Sequence, residues 1–173
     1  TPESEGRNLA PLFDLILSHI RAPEGDEKGE SQMLISSVDY NDYVGKIAVG
    51  RIERGVFRLK QDILVCDYHN TSINRKSRIT QMFQFDGLQK LPVESASIGD
   101  IVCISGLDDI TIGNTLCSIA GSDPLPFVKI GEPTMEMTFS VNNSPFAGRE
   151  GKYITTRHIR DYLFKESMKD MSL

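Results

Sequence analysis

Between Gln32 and Ile119 the chain consists of short runs rich in β-branched and apolar residues, separated by glycine-containing turns at fairly regular intervals. Runs of this length with Gly, Asn and Asp between them are typical of all-β domains. Gly45, Gly50 and Gly55 space one run so that it could bend, because glycine relieves crowding where a strand turns round a barrel. The segment therefore predicts a small antiparallel β-barrel. Its predicted strands are Gln32–Asp39, Gly45–Arg54, Asp62–Asp67, Ser72–Gln84, Ile101–Ser105 and Thr115–Ile119.

A helix is predicted before the barrel. Pro11 lies near its first turn, where a missing N–H is tolerated, and the segment from residue 22 to residue 31 is polar and rich in turn formers. We therefore expect a domain boundary near residue 22. The apolar residues at helical spacing are Leu9, Leu12, Phe13, Ile16, Leu17 and Ile20.

A strand, a loop and a helix are predicted after the proline-rich junction that begins at Asp123. Met135, Met137, Phe139 and Val141 alternate with polar residues, which predicts a strand with one buried face. A helix is predicted from Tyr153 to Phe164. One strand and one helix cannot bury a stable core alone, so we expect this third unit to be truncated. The predicted apolar face of the helix consists of Ile154, His158, Ile159, Tyr162 and Leu163.

Composition predicts a soluble, cytoplasmic protein. Apolar residues make up 39% of the 173 residues, which is enough for a core, and the formal charge is −5. No apolar run approaches the ~20 residues that cross a bilayer, so we expect no membrane partner. Cys66, Cys103 and Cys117 are widely spaced beside apolar residues, which favours buried free thiols in a reducing compartment over a metal or catalytic site.

Basic residues concentrate in one part of this acidic chain. From residue 51 to residue 78, seven cations outnumber three carboxylates, which gives a local charge of +4. Arginine forks bind phosphate, so this part of the barrel could contact RNA. The alternative is a solvated surface with incidental charge. The candidate residues are Arg51, Arg54, Arg58, Lys60, Arg75, Lys76 and Arg78.

The loop from residue 142 to residue 152 carries further candidates. Its glycines allow close approach to an anionic partner, but asparagine and glycine also serve ordinary turn geometry, and both interpretations stay open. Two arginines of the following helix could extend the same basic surface or simply be solvated. These RNA-contact or ribosome-contact candidates are Asn142, Asn143, Arg149, Lys152, Arg157 and Arg160.

No pattern in the sequence indicates catalysis. His19, His69 and His158 are isolated from one another, without the Cys, Asp or Glu spacing of a metal site. No GxSxG motif marks a nucleophile, and Asp108 and Asp109 occupy a turn after Gly106. We therefore expect no catalytic residue, metal or cofactor in this chain.

Three stretches are specific enough to indicate a family. They are Leu9-Ala-Pro-Leu-Phe-Asp, Gln32-Met-Leu-Ile-Ser-Ser-Val-Asp-Tyr-Asn-Asp-Tyr-Val-Gly with Gly50-Arg-Ile-Glu-Arg-Gly, and Val141-Asn-Asn-Ser-Pro-Phe-Ala-Gly-Arg-Glu-Gly-Lys. With these stretches the chain closely resembles the TypA/BipA family of translational GTPases, in the region after the GTPase domain. The resemblance covers almost the whole chain.

The resemblance implies three parts. Residues 1–21 would be a linker helix from the GTPase domain, and residues 22–127 a barrel like the second domain of elongation factors Tu and G. Residues 128–173 would begin a ferredoxin-like α+β domain similar to the third domain of elongation factor G. It also implies a parent protein that binds GTP and Mg and associates with the bacterial ribosome, in stress and cold adaptation, virulence and ribosome assembly.

The chain departs from the parent pattern because it contains no GxxxxGK[ST] loop and no Asn-Lys-x-Asp motif. We therefore expect it not to hydrolyse GTP. Two functions remain: a module that docks on small-subunit ribosomal RNA, or an interdomain protein–protein scaffold that braces the GTPase domain and relays its nucleotide state. The predicted strand edge at residues 132–142 also suggests self-association.

Overall fold

The computed structural model describes residues 8–22, 24–70, 74–128, 131, 134–149, 151, 153 and 155–170. Within these residues, two helices flank ten strands. The helices are α1 (Ala10–His19) and α2 (Thr156–Ser167). The strands are β1 (Gln32–Asn41), β2 (Gly45–Arg54), β3 (Val56–Arg58), β4 (Asp62–Cys66), β5 (Arg75–Arg78), β6 (Gln81–Asp86), β7 (Gln89–Pro92), β8 (Ser95–Ser97), β9 (Ile101–Ser105) and β10 (Thr115–Ser118).

The strands curve into a barrel. Eight of them make one antiparallel sheet in the order β5-β4-β10-β1-β2-β9-β6-β7, and β3 pairs separately with β8. β5 ends at Arg78 and β6 begins at Gln81, although they lie far apart in that order. Three residue steps span at most about 11 Å, so the sheet must curve until β5 and β6 meet. The mainly β fold and the antiparallel barrel are therefore confirmed.

The barrel interior is filled by residues from many of its strands. Met33, Ile52, Ile104 and Leu116 come from β1, β2, β9 and β10 and are fully buried. Phe57 of the small β3–β8 pair belongs to the same cluster. Each such side chain contributes about 1.5–3 kcal/mol on burial. This core makes the barrel a rigid support for the charged side chains on its outer face.

The predicted strand Ser72–Gln84 was wrong. Residues 71–73 lie outside the described part, and the remainder forms two strands with a corner at Ile79 and Thr80. The N–H groups of these corner residues donate to Gln61 O and Ser105 O, each at 3.0 Å. A continuous run of strand-forming residues cannot reveal such a corner. The prediction also missed β3, β7 and β8, which have only three or four residues each.

The predicted C-terminal strand was also wrong within the described residues. Residues 134–142 form no strand there, and Met135 and Met137 are 90% and 75% exposed. A strand needs a hydrogen-bonded neighbour, and the described residues provide none for this segment. Self-association therefore stays a prediction without the strand edge on which it was based, and Glu132 and Pro133 lie outside the described part.

Both helices lie at the surface. Helix α1 confirms the predicted helix, with Pro11 in its first turn, but its apolar side chains are exposed, from 39% for Ile16 to 80% for Leu17. Helix α2 begins at an N-cap, Thr155, whose hydroxyl accepts a hydrogen bond from His158 N. In the described part, no helix has both the length and the apolar character needed to span a membrane.

Residues 121–128, here called the strap, run back over the outside of the barrel. Leu125 N donates to Thr115 Oγ1 at 2.9 Å, and Gln32 Nε2 donates to Asp123 O. The Phe127 ring lies against Gly113, where an added Cβ would be 2.8 Å from Cγ of the ring and closer still to Cδ1. The strap therefore fixes the path by which the chain leaves the barrel.

Candidate nucleic-acid interface

The structure divides the seven predicted barrel cations into paired and unpaired residues. Arg54 lies 3.5 Å from the Asp123 carboxylate and donates from Nε to Glu30 O at 3.0 Å. Arg75 pairs with Asp109 through Nη1. These two guanidinium groups hold the strap and a surface loop in place. They are less available to an external phosphate than sequence position indicates.

Arg78 is an intermediate case. Its Nε donates to Lys60 O at 3.0 Å and lies 3.4 Å from Asp62 Oδ1. These contacts use Nε alone, and the side chain is 66% exposed. The two terminal nitrogens of Arg78 make no hydrogen bond to the described residues.

Four barrel cations have no ion pair within the described part of the chain: Arg51, Arg58, Lys60 and Lys76. All four are exposed. Arg58 ends β3, Lys60 lies in the β3–β4 turn, and Lys76 lies on β5 two residues before Arg78. Their side chains keep their charge available for an anionic partner.

The β3–β4 turn borders a surface groove of about 350 Å³. Lys60 adopts a left-handed backbone conformation with φ of 65°, and its N–H donates to Ile79 O at 3.0 Å. Glu94, the residue before β8, and Ser95, the first residue of β8, also line this groove. Sequence reasoning missed these two residues because β8 is too short to show a periodic pattern.

Within its described residues, the candidate loop at residues 142–152 forms a turn. Asn142 Oδ1 accepts from Ser144 N at 3.0 Å, Asn143 is exposed, and Arg149 lies over the Phe146 ring at 4.9 Å. Lys152 lies outside the described residues. The observed contacts are those of an ordinary turn, and a role in RNA binding stays a prediction for these residues.

The two arginines of α2 share one carboxylate. Arg157 Nε lies 3.8 Å and Arg160 Nη2 lies 3.5 Å from oxygens of Asp161. Lys165 of the same helix contacts Asp42 in the β1–β2 turn at 2.9 Å, a link between distant parts of the sequence that sequence reasoning missed. The hydrogen bond to Asp42 raises the pKa of Lys165.

The buried thiols of the barrel are held in the protonated form. All three cysteines are free and buried, as predicted. Burial raises the pKa of the Cys66 thiol to about 12 and also raises the pKa of Cys103 and of Cys117. Thiols held in the protonated form are poor nucleophiles at neutral pH.

Outside the core, a hydrogen bond at 3.0 Å joins the partly exposed side chains of Asp39 and Lys90. It lowers the pKa of Asp39 and raises the pKa of Lys90.

Comparison with known proteins identifies the family. Residues 45–117 match the family model of elongation factor Tu domain 2. The chain is 41% identical over 172 residues to the large ribosomal subunit assembly factor BipA of Bacillus subtilis (strain 168), covering 99% of the chain and 28% of that protein. It is 37% identical over 173 residues to a putative TypA-like chloroplast elongation factor of Arabidopsis thaliana, covering 100% of the chain and 25% of that protein. The chain belongs to the TypA/BipA family.

This membership confirms the resemblance drawn from the sequence motifs. The BipA protein of Escherichia coli (strain K12) is 38% identical over 171 residues, again covering 99% of the chain and 28% of the relative. The chain thus spans about a quarter of the length of these TypA/BipA relatives. A crystal structure of a Thermus thermophilus protein matches 95% of the chain and 23% of its own chain with a TM-score of 0.64 at 19% identity, which supports the fold alone.

Proposed function

We propose that this chain is a non-catalytic module that docks a TypA/BipA-like translational GTPase on the bacterial ribosome through ribosomal RNA. The observation that carries the proposal is the set of exposed barrel cations without an ion pair in the described part: Arg51, Arg58, Lys60 and Lys76. Cations of this kind neutralise phosphates and fix the orientation of a protein on a nucleic acid. The names of several relatives, which describe ribosomal subunit assembly factors, also support it.

The parent activity belongs to the same proposal. The family resemblance suggests GTP hydrolysis with Mg in the cytoplasm, and roles in ribosome assembly, stress and cold adaptation and virulence. The chain carries no GxxxxGK[ST] motif, so we assign nucleotide chemistry to a part of the parent protein outside these 173 residues. The residues described here contribute binding and orientation.

The family resemblance and the names of the relatives indicate different ribosomal subunits. The family resemblance implies contact with small-subunit RNA, whereas the relatives are named as large-subunit assembly factors. We propose small-subunit RNA as the docking partner and treat large-subunit binding as an outcome of the same test. Purified subunits of both kinds therefore belong in one binding series.

An interdomain scaffold is the second candidate function, and helix α1 favours it. Leu12, Phe13 and Leu17 are at least half exposed on this helix, and exposed apolar side chains in a row are typical of a surface that packs against another domain. The two functions differ in salt dependence. Phosphate contacts weaken steeply with added salt, whereas an apolar contact hardly responds.

The test is binding of the 173-residue chain to purified small and large subunits across a salt series. Docking through RNA predicts steeply salt-dependent binding that the barrel variant loses and the helix variant keeps. Binding that is indifferent to salt and to charge reversal, or no binding at all, would contradict the proposal. The barrel variant changes Arg51, Arg58, Lys60 and Lys76 to Glu, and the matched helix variant changes Arg157, Arg160, Lys165 and Lys169 to Glu.

A further inference from the structure

We propose that the β3–β4 turn and strand β5 form one phosphate-binding surface, which takes the backbone of an RNA strand. Its residues, here called the cationic surface, are Arg58, Lys60, Lys76 and Arg78. The proposal rests on the proposed function and assigns its RNA contact to these four side chains rather than to the seven barrel cations or the α2 arginines.

The four side chains are joined in space by the fold. Arg78 Nε donates to Lys60 O at 3.0 Å, so the Arg78 guanidinium lies against the turn that carries Lys60. Arg58 lies two residues before Lys60 and borders the same groove. Lys76 and Arg78 are two residues apart on β5 and therefore share a face, with Cα atoms about 7 Å apart. The charges thus form a row from β3 across the turn to β5.

The β3–β4 turn holds a charged residue, Lys60, in a strained backbone conformation. Lys60 has a φ of 65°, a conformation in which glycine is favoured and an L-residue is disfavoured by about 1–2 kcal/mol. Hydrogen bonds from Lys60 N to Ile79 O and from Arg78 Nε to Lys60 O hold it there, each at 3.0 Å. Strain of this kind is characteristic of functional sites. Here it presents a cation beside Arg58 and Arg78.

The hydrogen-bonding state of the turn indicates the kind of ligand. The N–H groups of residues 58, 59, 60 and 61 donate within the protein, to Gln61 Oε1, Glu94 O, Ile79 O and Arg58 O. A compact phosphate site uses free backbone N–H groups, and this turn offers none. Long exposed side chains remain, and they suit a row of phosphates along a strand. Glu94 on the groove wall also disfavours a small, highly charged ligand.

The other candidate cations lack this arrangement. Arg54 and Arg75 are engaged with Asp123 and Asp109. Arg157 and Arg160 share the Asp161 carboxylate. These residues therefore provide matched controls: two Arg side chains on α2 can be changed with the same loss of charge as two residues of the cationic surface.

The experiment measures binding of fluorescent poly(U) by anisotropy between 50 mM and 200 mM salt, for the wild-type chain, Arg58→Gln/Lys60→Gln and Arg157→Gln/Arg160→Gln. Each phosphate contact on a single strand contributes about 0.7 to the log–log salt slope, so four contacts predict about −2.8, or a roughly 50-fold loss of affinity over this range. The slope of Arg58→Gln/Lys60→Gln should be shallower by about 1.4. The α2 variant should match wild type.

Circular dichroism establishes that each variant is folded, and Arg58→Gln alone, with an expected change in slope of about 0.7, replaces the double variant if Lys60→Gln disturbs the turn. A wild-type slope in the variant of the cationic surface, or a loss confined to the α2 variant, would overturn the inference. Repeating the series with ribosomal subunits separates the two proposals. Poly(U) binding that depends on the cationic surface, without subunit binding, refutes the proposed function alone; subunit binding that ignores Arg58 and Lys60 refutes this inference alone.

Discussion

Replacing Gly113 with Ala should release the strap from the barrel. Gly113 has a φ of 90°, and a Cβ at this position would overlap the Phe127 ring. His69 Nε2 lies 2.9 Å from Phe127 O, so the loop after β4 holds the same end of the strap. The substitution therefore strains the backbone and displaces a ring without touching the barrel core.

The expected cost follows from these two effects. A left-handed conformation disfavours an L-residue by about 1–2 kcal/mol. Phe127 is half-buried, so a displaced ring loses about 1 kcal/mol, roughly half of what full burial of a large apolar side chain contributes. Gly113→Ala should therefore lower the free energy of unfolding by about 2–3 kcal/mol.

A double-mutant cycle with Phe127→Ala separates the two effects. Phe127→Ala alone should cost about 1 kcal/mol, because it removes the packing of a half-buried ring. In the double variant the overlap no longer exists, so the combined cost should fall short of the sum by about 1 kcal/mol. Urea denaturation followed by circular dichroism measures all four proteins. Additive costs, or a Gly113→Ala protein as stable as wild type, would refute the placement of Phe127 on Gly113.

Three further predictions concern a thiol, the strained turn and the first helix. Burial raises the pKa of Cys66 in the folded chain to about 12, from an ordinary value of 9.0. Between pH 9 and pH 12 only the unfolded chain therefore releases the thiol proton. The free energy of unfolding of the wild-type chain, relative to that of Cys66→Ala, should be constant below pH 9 and should fall by about 1.4 kcal/mol per pH unit between pH 9 and pH 12. Urea denaturation at several pH values measures this, and parallel pH curves would contradict it. Lys60→Gly should raise the free energy of unfolding, measured by thermal unfolding, by about 0.5–1 kcal/mol, because glycine relieves the strain of the left-handed backbone conformation. The same substitution should make the salt slope of RNA binding shallower by about 0.7. A destabilised variant would contradict the strain at Lys60. Leu12→Lys/Leu17→Lys should change the unfolding free energy of the barrel by less than about 0.5 kcal/mol, because no residue of α1 is buried; a calorimetric loss above about 1 kcal/mol would show that α1 packs on the barrel.

Local sequence signals were sufficient for much of the fold. Glycine-punctuated runs predicted the barrel because strand period and turn chemistry are properties of neighbouring residues. The spacing of Leu9, Phe13 and Ile16 likewise predicted α1, and the apolar neighbours of each cysteine predicted its burial. These features need no knowledge of which strands pair.

Features that depend on distant partners were not predictable in the same way. The corner at Ile79 exists because β5 pairs with β4 while β6 pairs with β9. The alternation at residues 134–142 matches a strand, yet no neighbour for it occurs in the described part of the chain. A periodic pattern shows which side chains could share a face, and only a paired strand turns that pattern into a sheet.

The candidate site also depends on contacts between residues that are distant in the sequence. Arg54 and Arg58 look equivalent in the sequence, but Arg54 contacts Asp123, 69 residues away, and Arg58 has no ion pair within the described residues. The contact of Arg78 with Lys60 O crosses the β4–β5 hairpin. Charge clustering along the chain therefore singled out a candidate region, whereas the pairing of the strands shows which of its charges have no ion pair within the described residues.

RNA docking by the barrel is tested most directly by the salt dependence of binding between this 173-residue chain and purified ribosomal subunits. Docking through the barrel cations predicts a negative slope of log affinity against log salt, of about 0.7 for each phosphate neutralised, and a much shallower slope in the variant with Arg51, Arg58, Lys60 and Lys76 changed to Glu. A slope near zero, with affinity unchanged in that variant, would contradict RNA docking and would leave the barrel as a scaffold between domains.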